Sequence, residues 1–226
     1  MKKNVMVAVS SLPAEKEIFT YVKKIESYAD FLHCDIMDGT ITPAQTLLNS
    51  STMQLINERS TLPLDVHLMV RSPENYMMNY IKAGANIISV HYETFTSNEF
   101  AIKCLKTIRK NKCLAGLAVD LGTDISKITP ILPYCDIVLV MSVNIGKSGQ
   151  KFDASAIEKV KFLSTIKKEN DYTYLIEVDG GINASNCGKL IKSGADILVS
   201  GSYVFNETDY QQAISKLKNI VNKKVK

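Results

Sequence analysis

Short apolar runs bounded by turn-forming residues recur along the chain. They are VMVAVSS (5–11), FLHCDIM (31–37), LDVHLMV (64–70), NIISVHYE (86–93), CLAGLAVD (113–120), DIVLVMSV (136–143), TYLIEVDG (173–180) and DILVSGS (196–202). Each is rich in Val, Ile and Leu, as strands buried on both faces should be. Segments with helical spacing lie between them. AEKEIFTYVKKIESYA (14–29) places Ile18, Tyr21, Val22 and Ile25 on one stripe. SPENYMMNYIKAGA (72–85) predicts a helix with Ser72 as N-cap, Pro73 in its first turn and a stop at Gly84. NASNCGKLIKSGA (183–195) repeats that arrangement, ending at Gly194, and TDYQQAISKLKNIVN (208–222) predicts a last helix. KAGANIISV and KSGADILVS are near copies, each a helix end turning into a strand.

Strand alternating with helix implies a parallel sheet. Eight such units in this length predict a single α/β domain over residues 1–226, a closed (β/α)8 TIM barrel. No Pro/Ser-rich linker or low-complexity stretch divides it. A doubly wound open sheet is the alternative, but no GxGxxG follows the first strand, so a dinucleotide site is not expected.

The polar residues inside these apolar runs carry the chemistry. FLHCDIMDG (31–39) admits a histidine and two aspartates into a buried strand, and buried charge is costly unless paired or bound to a metal. Side chains alternate along a strand, so His33, Asp35 and Met37 share one face. His67 lies late in the third strand on the face of Asp65 and Met69. His91 and Glu93 end the fourth, and Asp179 ends the seventh on the face of Glu177. In a barrel, chemistry sits at these carboxyl ends. His33, Asp35, His67 and Asp179 form a mixed N/O set suited to Zn²⁺, Mn²⁺, Fe²⁺ or Co²⁺. Two carboxylates from different strands also suit proton transfer on opposite sides of a substrate. His91 is expected to be a packing or hydrogen-bonding histidine. Glu177 either orients a ligand or forms an interior ion pair. Gly-rich turns NIGKSGQ (144–150), GGIN (180–183) and GSYVF (201–205) follow the last three strands, where backbone N–H groups bind phosphate. GKS at 146–148 is not a P-loop, because Met141 stands where that motif needs glycine.

Composition narrows the setting. Net charge is +4, from 27 Lys+Arg against 23 Asp+Glu, too mild to imply nucleic acid. The basic tail KNIVNKKVK (218–226) reads as a solvated helix end. The start, MKKNVMVAVSSLPAEKE, reads as a first strand and not an export signal, because its apolar run is short and Pro13 follows. No membrane span is expected. The five cysteines, without CxxC spacing, imply free thiols and a reducing cytoplasm.

HCDIMDG, LDVHLMV, VMSVN-x-G-x-x-GQKF, IEVDGGIN and GADILVSGS resemble the signatures of the ribulose-phosphate 3-epimerase family, in order and spacing, over nearly the whole chain. The resemblance implies a (β/α)8 barrel, a divalent metal, most often zinc, and a phosphorylated ketose substrate. By resemblance, His33, Asp35, His67 and Asp179 are the metal ligands, and Asp35 and Asp179 are also the acid/base pair. Substrate contacts then fall to His67, Met37, Met69 and Met141, and to the turns Gly146, Lys147, Ser148, Gly149, Gly180, Gly181, Gly201 and Ser202. The expected reaction takes D-ribulose 5-phosphate to D-xylulose 5-phosphate in the cytoplasm, by a homo-oligomer without nucleic-acid or membrane partners.

Three departures surround the substrate. The family's PGFGG is here Ile145-Gly146-Lys147-Ser148-Gly149, and HFVPN is Thr40-Ile41-Thr42-Pro43-Ala44. A first-strand serine that touches substrate in the family aligns with Ala8, with Ser10 and Ser11 nearby and Ser10 the candidate. These changes leave allulose 6-phosphate open as the substrate. A sugar-phosphate decarboxylase and a non-catalytic sugar-phosphate sensor are the competing readings.

Overall fold

The computed structural model describes residues 5–219. Eight parallel strands close into a barrel in chain order: β1 (Met6–Ser10), β2 (Phe31–Met37), β3 (Leu64–Met69), β4 (Ile87–His91), β5 (Leu114–Val119), β6 (Ile137–Met141), β7 (Leu175–Asp179) and β8 (Ile197–Ser200), with β1 pairing β8. Around them run α1 (Ile18–Ile25), α2 (Ser50–Arg59), α3 (Met77–Lys82), α4 (Asn98–Lys110), α5 (Ala156–Glu169), α6 (Cys187–Ser193), α7 (Ser202–Phe205) and α8 (Tyr210–Asn219). The predicted (β/α)8 barrel is the observed architecture.

The main apolar core fills the space between the strands' outward faces and the helices. On α1 the predicted stripe of Ile18, Tyr21, Val22 and Ile25 is buried there. A second, smaller cluster inside the barrel joins Ala8, Ile87, Ile137, Ile197 and Val199. Side chains thus plug the barrel, as the fold requires. Above this plug the inward positions turn polar, and the site begins there.

Several local expectations are corrected. The segment from 14 is not helical from its start: a 3₁₀ turn, Leu12–Glu17, precedes α1, with Pro13 in its first turn. Ser72 makes no side-chain cap, and a 3₁₀ turn, Pro73–Asn75, leads into α3. Asn49 and Ser97 are the side chains that cap α2 and α4. The β5–β6 crossover holds two 3₁₀ turns, Ile125–Ile128 and Leu132–Tyr134, instead of an α-helix. Pro130 and Pro133 fall there, and each removes a donor that a continuous helix needs. β4 ends at His91, so Glu93 belongs to the 3₁₀ turn Tyr92–Thr94.

All five cysteines are free and buried. Lys218 bonds the Tyr28 carbonyl and Asp30, while tail residues 220–226 and the first four residues lie outside the described residues. Among the described residues no helix is long and apolar enough to cross a membrane.

Candidate active site

The period-two alternation of β2 turns His33 and Asp35 into the barrel, and the parallel register supplies their neighbours. His33 pairs with Asp65 across β2–β3, Asp35 with His67, and Asp179 with Met141 across β6–β7. Four potential ligands therefore meet at the carboxyl ends of the strands. His33 Nε2 lies 3.5 Å from Asp35 Oδ1 and 3.9 Å from Asp179 Oδ2. His67 Nδ1 lies 3.3 Å from Asp35 Oδ1 and 4.0 Å from Asp179 Oδ2. All four ligand atoms fall within 4.8 Å of one another.

The residues fit a cation. His33 Nε2 is fully buried and has no hydrogen-bond partner, although it faces two carboxylate oxygens. A buried polar atom without a partner is costly, and a cation between these atoms satisfies it. Two imidazole nitrogens and two carboxylate oxygens are a donor set that zinc and the neighbouring divalent transition metals accept.

Burial and charge divide the two aspartates. Burial opposes ionisation of Asp35, but His33 and His67 outweigh it and hold this carboxyl well below its ordinary range. Asp179 is pushed up to about 7, by burial first and then by the charge of Asp35. Burial lowers His67 to about 4. For His33, burial is overcome by Asp65 and Asp35, which raise it well above its usual value.

A layer of supporting residues surrounds the four. Asp65 Oδ2 lies 2.5 Å from His33 Nδ1, so the ring's other nitrogen is left for a metal. The sequence leaves Glu177 open to that orienting role or to an interior ion pair. Asp65 takes the orienting role, and Glu177 stands 3.9 Å from the same nitrogen as an ion-pair neighbour, with neither oxygen hydrogen-bonded. Burial, then the charge of Asp65, pushes Glu177 well above the carboxylate range, towards its neutral form. Ser10 Oγ donates to Asp35 Oδ2 at 2.9 Å. His91 is buried and hydrogen-bonded, as expected, and one of its partners is His67: the two Nε2 atoms are 2.8 Å apart. Sequence reasoning missed the contacts of Asp65 and His91 because they depend on inter-strand register. The usable signal was that both are polar residues placed inside apolar strands.

The cavity above the four ligands includes Ser10, Asp35, Met69, Met141 and Asp179, together with Gly146, Lys147, Ser148, Gly149, Gly180, Gly181, Gly201 and Ser202. These turns meet as expected. Met37 does not line it: the residue is buried beside Met69 in the register, and Thr46 bonds its backbone N–H. Ala8 also has another place. It belongs to the lower plug, one layer beneath Ser10, and does not line the cavity. Gly146 is required where it stands, at φ +103° against Thr42, whose Oγ1 would lie 1.9 Å from an added Cβ. Thr42, on the loop after β2, thereby shapes the Gly146 turn, a contact the sequence did not signal.

The family model described as Ribulose-phosphate 3 epimerase matches residues 6–205. The chain is 39% identical to a ribulose-phosphate 3-epimerase of Aquifex aeolicus over 87% of each chain. It is 37% identical to one of Synechocystis sp., over 97% of this chain and 95% of that one. Among solved structures it resembles 3-keto-L-gulonate-6-phosphate decarboxylase from Vibrio cholerae, with a TM-score of 0.72 at 11% identity, over 97% of this chain and 98% of that one. That likeness shows a shared fold alone. With the signatures, the barrel and the family match in agreement, the chain belongs to the ribulose-phosphate 3-epimerase family.

Proposed function

We propose that the chain is a metal-dependent epimerase that inverts carbon 3 of a phosphorylated ketose, converting D-ribulose 5-phosphate to D-xylulose 5-phosphate. The observation that carries this reading is the convergence of Asp35 and Asp179, from β2 and β7, on two imidazoles, one with an unpartnered nitrogen. His33, Asp35, His67 and Asp179 would hold the ion, with zinc the expected species and Fe²⁺, Mn²⁺ or Co²⁺ the alternatives. When bound, it supplies Lewis-acid stabilisation of negative charge at the substrate's carbonyl and hydroxyl oxygens.

Inversion needs one group to remove the proton from one face of carbon 3 and another to return a proton to the opposite face. Asp35, held ionised, is the base for one isomer, and Asp179, held towards its protonated form, is the matching acid. A shared cation lowers both, and the reverse reaction exchanges their roles. Ser10 keeps Asp35 Oδ2 oriented while Oδ1 faces the imidazoles. The enediolate formed between the two transfers needs protection from water, which the Met69 and Met141 walls supply. Backbone N–H groups of the Gly180–Gly181 and Gly201–Ser202 turns, with Lys147, hold the phosphate and fix carbon 3.

Lys147 lines the cavity where the family's PGFGG carries its aromatic, and this supports allulose 6-phosphate as a second substrate reading. Turnover on ribulose 5-phosphate and allulose 6-phosphate decides between them. Absence of epimerisation with both would support the sugar-phosphate sensor, and carbon dioxide release from a keto-acid phosphate the decarboxylase. We further propose one domain over residues 1–226 and action in the cytoplasm, supported by the five free thiols. The proposed homo-oligomer is supported by Phe19 and Leu47, exposed apolar side chains of one groove.

A further inference from the structure

We infer that His91, anchored by Glu93 and Asp120, is a positioning residue for the metal centre, acting through His67. The inference rests on the metal-centre reading above.

His67 faces the ligand cluster through Nδ1, and His91 through Nε2. A 2.8 Å contact between two ring nitrogens needs one hydrogen between them, and which ring supplies it decides where each ring's lone pair lies. The ring planes are only 23° apart with centroids separated by 4.9 Å, so the imidazoles meet edge to edge. On the far side of His91, Nδ1 faces negative charge. Glu93 Oε2 accepts at 3.3 Å, and Asp120 Oδ1 lies 3.0 Å away. The Glu93 carboxylate is itself held, because its Oε1 accepts from the Asp120 N–H and the Thr123 hydroxyl. A bare nitrogen facing two carboxylates is repelled, so His91 keeps a hydrogen on Nδ1.

The chain of consequences runs inward. To hold a cation His67 Nδ1 has to be bare, so the His67 hydrogen then sits on Nε2, and a His91 with its hydrogen on Nδ1 alone accepts it there. His67 then has its lone pair on Nδ1, aimed at the space bounded by His33, Asp35 and Asp179. Carboxylates at the barrel rim thereby hold in place the ring that accepts from a ligand in its interior. The two histidine ligands are supported differently: His33 leans directly on the Asp65 carboxylate, whereas His67 leans on a second imidazole that is itself pinned. Such outer partners fix ring orientation and affect metal affinity by about 10–100-fold.

Co²⁺ alone, added to metal-free full-length chain, tests this by its visible absorption spectrum and by competition with a chelator. His91→Phe keeps a ring but removes the acceptor, and is expected to weaken Co²⁺ binding about 10–100-fold and alter the spectrum. His91→Gln retains an acceptor for His67 and a donor for the carboxylates, and is expected to recover most of the affinity. Glu93→Gln combined with Asp120→Asn, at the partly exposed rim, is expected to weaken binding about threefold or more. That double variant also decides the matter if His91→Phe does not fold. Wild-type affinity in a folded His91→Phe chain overturns the inference, as does wild-type affinity in the rim variant. A second Co²⁺ per chain that disappears with Asp120→Asn would make His91 a ligand and also overturns it. If the wild-type chain binds no Co²⁺, the metal-centre reading fails and takes the inference with it.

Discussion

Ser10 Oγ donates to Asp35 Oδ2, and this bond separates the duties of the two carboxylate oxygens. Oδ1 is left facing His33 and His67, 3.5 Å and 3.3 Å away, while Oδ2 stays beside a hydroxyl at the cavity wall. The hydroxyl also accepts from the Leu12 N–H, so it has little freedom to turn away.

Ser10→Ala is therefore expected to lower kcat by about 10-fold, the effect of losing a hydrogen bond to a charged group, roughly 1.5 kcal/mol. Metal content should stay at the wild-type level, because Oδ1 keeps its neighbours. Steady-state kinetics with metal analysis on the same sample checks both halves. A loss of metal in step with activity would show that the bond serves the ligand set instead.

Asp65→Ala leaves His33 buried without its carboxylate partner. Breaking such a pair costs about 3–5 kcal/mol. Asp65→Asn keeps an acceptor for His33 Nδ1–H and should cost less. Urea unfolding of the metal-free variants measures the difference. Equal stability of the two variants would show that the hydrogen bond contributes nothing beyond packing.

Metal affinity should fall as pH falls. A histidine ligates only when its metal-facing nitrogen carries no proton, and Asp65 and Asp35 raise His33's affinity for protons despite its burial. Protons and metal thus compete for the same ring, so acid raises the apparent Kd. Chelator competition across the neutral to mildly acidic range tests the sign. A flat profile would remove His33 from the ligand set.

Much of this centre was legible in the sequence, for a physical reason. A charged or imidazole side chain late in an apolar strand has to face the barrel mouth or remain uncompensated, and His33, Asp35, His67 and Asp179 all obey that rule. What a single sequence does not contain is register. The His33–Asp65 and His67–His91 bonds follow from how β2, β3 and β4 slide against one another, so neither was visible. The layer of Ala8 and Ser10 is a register fact too: Ala8 sits in the lower plug, while Ser10 bonds Asp35 at the cavity wall. The β5–β6 crossover was different: Pro130 and Pro133 stood in plain view, and their lost donors forbid the helix that the eightfold pattern suggested.

Lys147 extends from an exposed position on the turn that Gln150 closes by donating to the Asn144 and Lys147 carbonyls. An exposed cation near a phosphate contributes little, roughly 0.2–1 kcal/mol. Lys147→Ala is thus expected to raise KM about two- to fivefold and leave kcat unchanged, an effect that added salt diminishes. Unchanged constants for every ketose phosphate would mean that Lys147 points to solvent.

The two carboxylates give the most demanding test. If Asp35 and Asp179 serve opposite faces of carbon 3, substrate turned over in D₂O acquires deuterium at carbon 3 as it epimerises. Asp35→Asn and Asp179→Asn should each lower epimerisation by about 10²–10⁴-fold, the usual contribution of a positioned acid or base. In each variant the surviving acid still reaches its own face, so one isomer should exchange its carbon 3 proton without inversion. The isomer that exchanges should differ between the variants. Both residues are proposed ligands, so metal content has to be measured in the same samples. A variant that retains its metal, loses inversion and exchanges a single isomer identifies that aspartate as the acid/base of one face. Near-normal epimerisation by either variant would refute the two-acid mechanism.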